Sequence, residues 1–273
     1  MTATTLTATG TEARPYHSNA IGPVHDALAI TGRNLIALRR VPNLLVFSTI
    51  QPVVFLLLFR YVFGGVVSTS LIGVPYVDYL LPGIFVQTSV FGAIGAAIGL
   101  ATDLQTGLLE RFRSLPMARS AVLAGRTLAD LARNVFVVTL MAVIGFGVGF
   151  RVHTGPLPFL AGMLLVLVFA YSMSWVFATV GLLIGDPETA QAAAFPVMAP
   201  LVFASSVFVP VESMPGWLQG FATHQPVSVT ASAVRALVLG GPTASHVWQS
   251  LAWAVGIVAV FAPLAVWRYR RAV

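Results

Sequence analysis

Six stretches of this chain read as bilayer-spanning helices, and that feature decides which solvent the fold meets. They cover residues 43–63, 79–101, 119–150, 157–184, 190–209 and 247–267. A helical span needs about 20 mainly apolar residues, against about 10 for a barrel strand, so these lengths specify helices. The third stretch is apolar only from Val135 to Phe150 and has a polar helical run-in. Charge agrees with this assignment. Only 9% of the 273 residues are charged and 57% are hydrophobic, whereas a soluble domain carries about 25% charged residues. So few charges cannot cover a water-facing surface. The expected fold is therefore an all-α integral membrane protein with six transmembrane helices.

Two absences narrow the chemistry. There is no cysteine, which excludes disulfides, thiolate catalysis and cysteine-ligated metals. There is no lysine either, since all fifteen basic residues are Arg. A phosphate-binding loop of the G-x-x-x-x-G-K-[ST] type needs its Lys, so this chain cannot carry that ATP site. His17, His25, His153, His224 and His246 are scattered and form no H-x-x-x-H pair, which argues against a metal site. No Ser–His–acid set can be assembled, and no catalytic residue is assigned. The net charge of +6 does not point to nucleic acid, because the Arg residues flank apolar spans and form no separate basic domain.

Counting Arg orients the chain. With the N-terminus in the cytoplasm, twelve Arg fall inside and only Arg60, Arg151 and Arg235 fall outside. Both termini are then cytoplasmic, which requires an even number of spans. Residues 1–22, rich in Thr and Ala, read as a disordered cytoplasmic tail. Residues 24–41 carry Val24, Leu28, Thr31, Leu35 and Leu38 on one stripe, with Arg33, Arg39 and Arg40 near the end. This segment reads either as a helix lying in the membrane interface or as an extension of the first span. On the outer side, Val211–Ser245 is too apolar for a free loop and too interrupted to span. Its helical patches, Pro215–Phe221 and Val227–Leu239, suit a re-entrant extracellular segment.

Three sets of residues are candidates for function. In the cytoplasmic segment Asp103–Arg119, Leu104, Leu108, Phe112 and Leu115 share a helical face. Glu110, Arg111 and Arg113 lie on other faces, and Pro116 stops the helix. Such a ridge suits docking into a partner's groove, and a solvated connector on the membrane surface fits equally well. Arg119, Arg126 and Arg133 recur every seven residues, with Asp130 placed to pair with Arg126 or Arg133. This stripe runs into span 3, where Arg133 either snorkels to the inner interface or serves translocation. Third, Phe47, Phe55, Phe59, Phe85, Phe91, Phe195 and Phe203 give the walls of spans 1, 2 and 5 an aromatic lining, a candidate path for a lipophilic compound. Gly92, Gly95 and Gly99 have small-xxx-small spacing, a signal for close helix packing. Asp186-Pro187-Glu188 reads as an N-cap, with contact to a basic partner as the alternative.

The run Asp103–Arg119, with Gly107, Glu110-Arg111-Phe112-Arg113 and Leu115-Pro116-Met117, resembles the segment between spans 2 and 3 of type-2 ABC exporter permeases, the daunorubicin-resistance branch in particular. The outer segment is similar to theirs too, at Met214-Pro215-Gly216-Trp217-Leu218, Gln225-Pro226-Val227-Ser228 and Ala233-Val234-Arg235-Ala236-Leu237. The resemblance implies a single type-2 transmembrane domain over 23–273 in the cytoplasmic membrane, in which 24–41 is the interface helix. It implies a second permease copy or sister permease, and cytoplasmic ABC ATPase subunits that bind ATP and Mg on their own chains. It also implies that Thr106, Gly107, Leu108, Glu110, Arg111, Phe112, Arg113, Leu115 and Pro116 belong to a coupling helix seated on the ATPase. The expected cargo is a drug, polyketide or lipid; a glycan exporter and a secondary transporter are the alternatives.

Overall fold

The computed structural model describes residues 42–64, 73–107 and 119–272. The expected tail, the interface helix at 24–41 and residues 108–118 of the expected coupling helix lie outside the described residues, as do the side chains of Phe47 and Arg119. Every regular element among the described residues is helical. In order they are α1 (Pro42–Leu58), continued by a π-helical turn (Phe59–Phe63), α2 (Tyr76–Gln105), α3 (Arg119–Val148), α4 (Pro156–Ile184), α5 (Pro187–Phe203), a short 3-10 turn (Val211–Ser213), α6 (Gly216–His224), α7 (Pro226–Leu239) and α8 (Thr243–Ala272).

Proline and glycine punctuate the apolar runs. Pro42, Pro156, Pro187 and Pro226 open helices, where a missing N–H costs nothing. Gly185 closes α4 at φ 77, the left-handed C-cap conformation, and its N–H reaches Gly181 O at 2.9 Å. Asp186 then caps α5, accepting from Thr189 N at 2.8 Å. Pro52, Pro82 and Pro263 sit inside α1, α2 and α8, which neighbouring helices make tolerable in a membrane.

Four helical segments are long and apolar enough to cross a membrane: Tyr76–Gln105, Gly125–Val148, Pro156–Ile184 and Thr243–Arg271. Thr49–Phe63 and Pro226–Leu239 are apolar but shorter. The fifth expected span is corrected at its end: the helix stops at Phe203, whereas the sequence places its end at residue 209. With Pro196 and Pro200 inside it, α5 is interrupted twice in its backbone ladder, and residues 204–209 turn back toward α7.

The middle of the bundle is the parallel pair α2 and α4, where Phe85, Phe169 and Phe177 are fully buried. Helices α1 and α3 pack on one flank of α2, α5 packs on α2 and α4, and α7 and α8 pack on α4. A second cluster, including Leu100, Leu123, Leu182 and Tyr269, gathers one end of α2, α3, α4 and α8. The opposite ends meet through Tyr76 Oη donating to Phe208 O (3.0 Å) and Thr154 Oγ1 donating to Leu237 O (2.6 Å). Helix α7 keeps Val227, Ala231, Val234 and Val238 in the core at helical spacing. It is a packed insertion rather than a surface loop, as the apolar pattern of the outer segment requires. On α8, exposed Trp248 and Trp267 bracket exposed Val255, Val260 and Leu264. The two indoles are nineteen residues apart, about 28 Å along a helix, close to the ~30 Å hydrocarbon thickness that interfacial Trp residues frame.

Candidate functional site

The charge stripe of α3 lies against α2, and its partners are not all the local ones. Arg126 Nη1 donates to Asp103 Oδ2 at 2.6 Å, across to the far end of α2. Asp130 pairs with Arg133 at 3.3 Å. The sequence allows Asp130 either arginine, and the structure divides the two arginines between two carboxylates. Arg133 also donates to Gly92 O, and Asn134 Nδ2 donates to Asp130 O at 3.0 Å. Asp130 and Arg133 are both mostly buried, with side chains 13% and 17% exposed.

The glycines of α2 make this arrangement possible. A Cβ at Gly99 would fall on the Arg126 guanidinium; at Gly95 it would meet Arg133 Nη2 at 2.8 Å, and at Gly92 Asn134 Oδ1 at 2.5 Å. The small-residue spacing therefore forms a groove for polar side chains of α3. The close backbone contact expected from such spacing occurs elsewhere, where Gly181 of α4 packs on the Ala97 backbone of α2.

The aromatic candidates separate into groups. Phe55, Phe59 and Phe63 stack in series along α1 and its π turn. Phe208 stacks on Phe59 at 4.2 Å between centroids and on Phe203 at 6.0 Å, and Phe91 leans on Phe55 at 6.4 Å. The strip thus joins α1, α2 and the end of α5. Phe85 is not part of it, being fully buried in the core, and Phe195 is 58% exposed on α5. Phe208, the hub of the strip, escapes helical pattern reading because it sits in the turn after α5.

At the end of the bundle that bears Phe208, Arg235 of α7 is buried, and no carboxylate among the described residues pairs with it. It donates to Tyr79 O (2.9 Å), Ser206 Oγ (3.1 Å), Ser206 O (2.5 Å) and Val207 O (3.0 Å), and its guanidinium lies 3.7 Å from the Tyr79 ring centroid. Gln225 Nε2 donates to Leu201 O (2.9 Å), and Ser206 N donates to Ser228 Oγ (3.0 Å). The Gln225-Pro226-Val227-Ser228 motif therefore stitches the start of α7 to the end of α5. Beside it, buried Asp78 accepts from Arg151 N (2.9 Å) and contacts His153 Nε2 (3.0 Å). At the end that bears the Arg126–Asp103 pair, Gln105 Nε2 reaches Asp186 Oδ1 at 3.5 Å. Hydrogen bonds from Thr189, the side chain first and the backbone second, hold the Asp186 carboxyl below its ordinary range.

Residues 25–239 match the family model described as ABC-2 type transporter. The chain is similar to the daunorubicin resistance ABC transporter permease protein DrrB1 of Streptomyces coeruleorubidus, 36% identical over 94% of this chain and 89% of that protein. It is similar to the probable doxorubicin resistance ABC transporter permease protein DrrC of Mycobacterium tuberculosis, 33% identical over 82% of this chain and 81% of that protein. To the doxorubicin resistance permease DrrB of the same organism it is 30% identical over 88% of this chain and 84% of that protein. With four long apolar helices and this match along most of its length, the chain is a membrane permease that belongs to the ABC-2 type transporter family.

Proposed function

We propose that this chain is the transmembrane subunit of an ATP-driven exporter that moves lipophilic or amphipathic compounds, of the class named for its relatives, out of the cell. The observation that carries this reading is the similarity at 30–36% identity to daunorubicin and doxorubicin resistance permeases along more than four fifths of the chain. ATP and Mg bind a separate ATPase, because a chain without lysine has no P-loop of its own. Six spans cross the membrane, α1 with its π turn and α5 being the two shorter ones, and both termini are cytoplasmic. A second permease, identical or sister, completes the complex.

Energy must enter through a cytoplasmic contact joined to spans that can move. The segment between α2 and α3 meets that need, with Leu108, Phe112 and Leu115 as the ridge and Glu110, Arg111 and Arg113 setting register. Supporting this role, the Arg126–Asp103 bond clamps the two helices at the end from which the segment leaves. A push on the segment then moves α2 and α3 together, and through the α2–α4 packing reaches the core. Alternating access follows as the resulting mechanism.

One observation favours a second reading. Asp130 and Arg133 form an ionisable pair midway along α3, where a proton-coupled secondary transporter would keep its relay. A single experiment separates the two. The permease and its ATPase are expressed in efflux-deficient cells, with wild-type or hydrolysis-defective ATPase, and daunorubicin accumulation is followed. The exporter lowers accumulation only with active ATPase. Efflux that persists with the defective ATPase and collapses with the proton gradient would replace it with the secondary transporter.

A further inference from the structure

A cavity of about 80 Å3 opens between α1, α2 and α3, lined among others by Gln51, Gln87, Thr88, Phe91, Arg133 and Asn134. Its depth makes its chemistry unusual. Gly92, also in its wall, is sixteen residues from Tyr76 and thirteen from Gln105, about 24 Å and 20 Å along α2. Arg133 and Asn134 are likewise central in α3, and Gln51 is central in the helical run 42–63. At this depth an amide meets neither bulk water nor headgroups, and an unpaired one is costly.

Most of the polar lining is already engaged. Arg133 has Asp130 as counter-charge and Gly92 O as acceptor, Asn134 donates to Asp130 O, and Thr88 Oγ1 donates to Ile84 O at 2.7 Å. Gln87 differs. The residue is 2% exposed, and its Oε1 has no hydrogen-bond partner among the described residues. Simple packing would be served as well by a Met or Leu of similar volume, without the cost of an unsatisfied amide. The α1 wall adds a second carboxamide, Gln51. The wall at Phe91 is aromatic and continues through Phe55 to Phe59 and Phe208.

We propose that this cavity is a ligand subsite holding the hydroxyl- or carbonyl-bearing edge of an aromatic cargo, with Gln87 and Gln51 supplying the hydrogen bonds and Phe91 the ring contact. The proposal rests on the exporter reading and narrows its cargo. Arg133 is already paired with Asp130, so the polar groups left for a ligand are the two carboxamides, which suit uncharged hydroxyl and carbonyl groups. Its mid-bilayer depth separates it from the headgroups of the surrounding lipid. A volume of 80 Å3 accommodates a polar edge and leaves the rest of the cargo on the aromatic strip.

The test uses the complete permease–ATPase complex in lipid nanodiscs and two fluorescent probes that differ by one hydroxyl, anthrol and anthracene. Binding to each is corrected for partition into protein-free nanodiscs. Wild type should hold anthrol about five- to tenfold more tightly, the worth of one buried hydrogen bond. Gln87→Met should bring that ratio close to one by weakening anthrol alone, and Gln51→Met should lower it in part. Thermal unfolding checks that both variants are folded; if Gln87→Met is not, Gln51→Met decides. A wild-type ratio of one, or a ratio unchanged in the folded variants, overturns the subsite and leaves a cavity that holds only water. If daunorubicin is still exported in that case, the exporter reading stands and the subsite alone falls. If there is neither export nor probe binding, both fall.

Discussion

Replacing Gly99 with Ala adds one methyl group, and the structure predicts that its cost is mainly electrostatic. The new Cβ would coincide with the Arg126 guanidinium and lie 2.8 Å from its Nε. That group is the far end of a flexible side chain, so moving it is sterically cheap. The move breaks the 2.6 Å bond to Asp103, whose partners are only 23% and 13% exposed. A hydrogen bond to a charged group contributes about 1.5–3 kcal/mol. Helix propensity returns about 0.5–1 kcal/mol for Gly→Ala, so the net loss should be about 1–2 kcal/mol. In an Arg126→Met background there is no bond to break, and the same substitution should become neutral or slightly stabilising. The assay is reversible unfolding of the purified permease in mixed micelles, run as a double-mutant cycle with an expected coupling of about 1.5–3 kcal/mol. Two other glycines calibrate it. At Gly181 the added Cβ meets the Ala97 backbone, with Cα at 2.8 Å, so α2 and α4 must separate, at a cost of about 1–3 kcal/mol or more. At Gly147 no described residue lies within 4 Å, and Ala should stabilise by about 0.5–1 kcal/mol. Equal costs for Gly99→Ala in the two Arg126 backgrounds would refute the displacement argument.

Further expectations follow from single contacts. Arg235→Met strips donors from the carbonyls of Tyr79, Ser206 and Val207, each worth about 1–3 kcal/mol when left unpaired; thermal unfolding should rank it well below Arg235→Lys, and equal stability of the two would contradict the carbonyl-nest role. The folded Asp186 carboxyl titrates below its unfolded value, so its cap on α5 is fully present above the ordinary carboxylate range and is lost as pH falls through the lower folded value. Asp186→Asn should keep the cap and remove that acid dependence from the unfolding midpoint. On this cysteine-free background, Gln219→Cys should react with an impermeant reagent on intact cells; reaction only after lysis would invert the topology. Phe112→Ala and Glu110→Ala should still insert, with transport and substrate-stimulated ATPase falling together; wild-type transport by both would return the segment to a solvated connector.

The long helices were legible because they are long apolar runs bounded by residues with fixed backbone consequences. The span expected at 157–184 is Pro156–Ile184, held between a Pro at its first turn and a left-handed Gly185. The expectation of 119–150 for span 3 differs from Arg119–Val148 by two residues. Pattern alone carries span 5 too far, since Val207, Phe208 and Val209 are as apolar as the helix before them. Instead, Val207 O accepts from Arg235, Val207 N donates to Ser205 Oγ at 3.2 Å, and Phe208 O accepts from Tyr76 Oη. Arg235 comes from twenty-six residues further along the chain than Val209, beyond the reach of any local window.

The same limit explains the charge stripe. Helical periodicity offers Asp130 to Arg126 or to Arg133 because it sees four residues at a time, yet the carboxylate that Arg126 finds is Asp103, on another helix and across the connecting segment. Periodicity also leaves the depth of Arg133 open, because a long stem can reach either an interface or a neighbour. The neighbour decides it. A side chain as large as Arg can turn inward only where the facing helix offers no Cβ; Gly95 provides that space midway along α2, and Gly92 does the same for Asn134. With Gly92 O as acceptor and Asp130 as counter-ion, the guanidinium finds its partners without reaching the interface. A larger residue at Gly95 would remove the socket, and Arg133 would then have to extend toward the interface or leave its charge uncompensated in the hydrocarbon. The glycines and the arginine are therefore one structural unit, readable in sequence only when the two helices are laid antiparallel with Gly99 opposite Arg126.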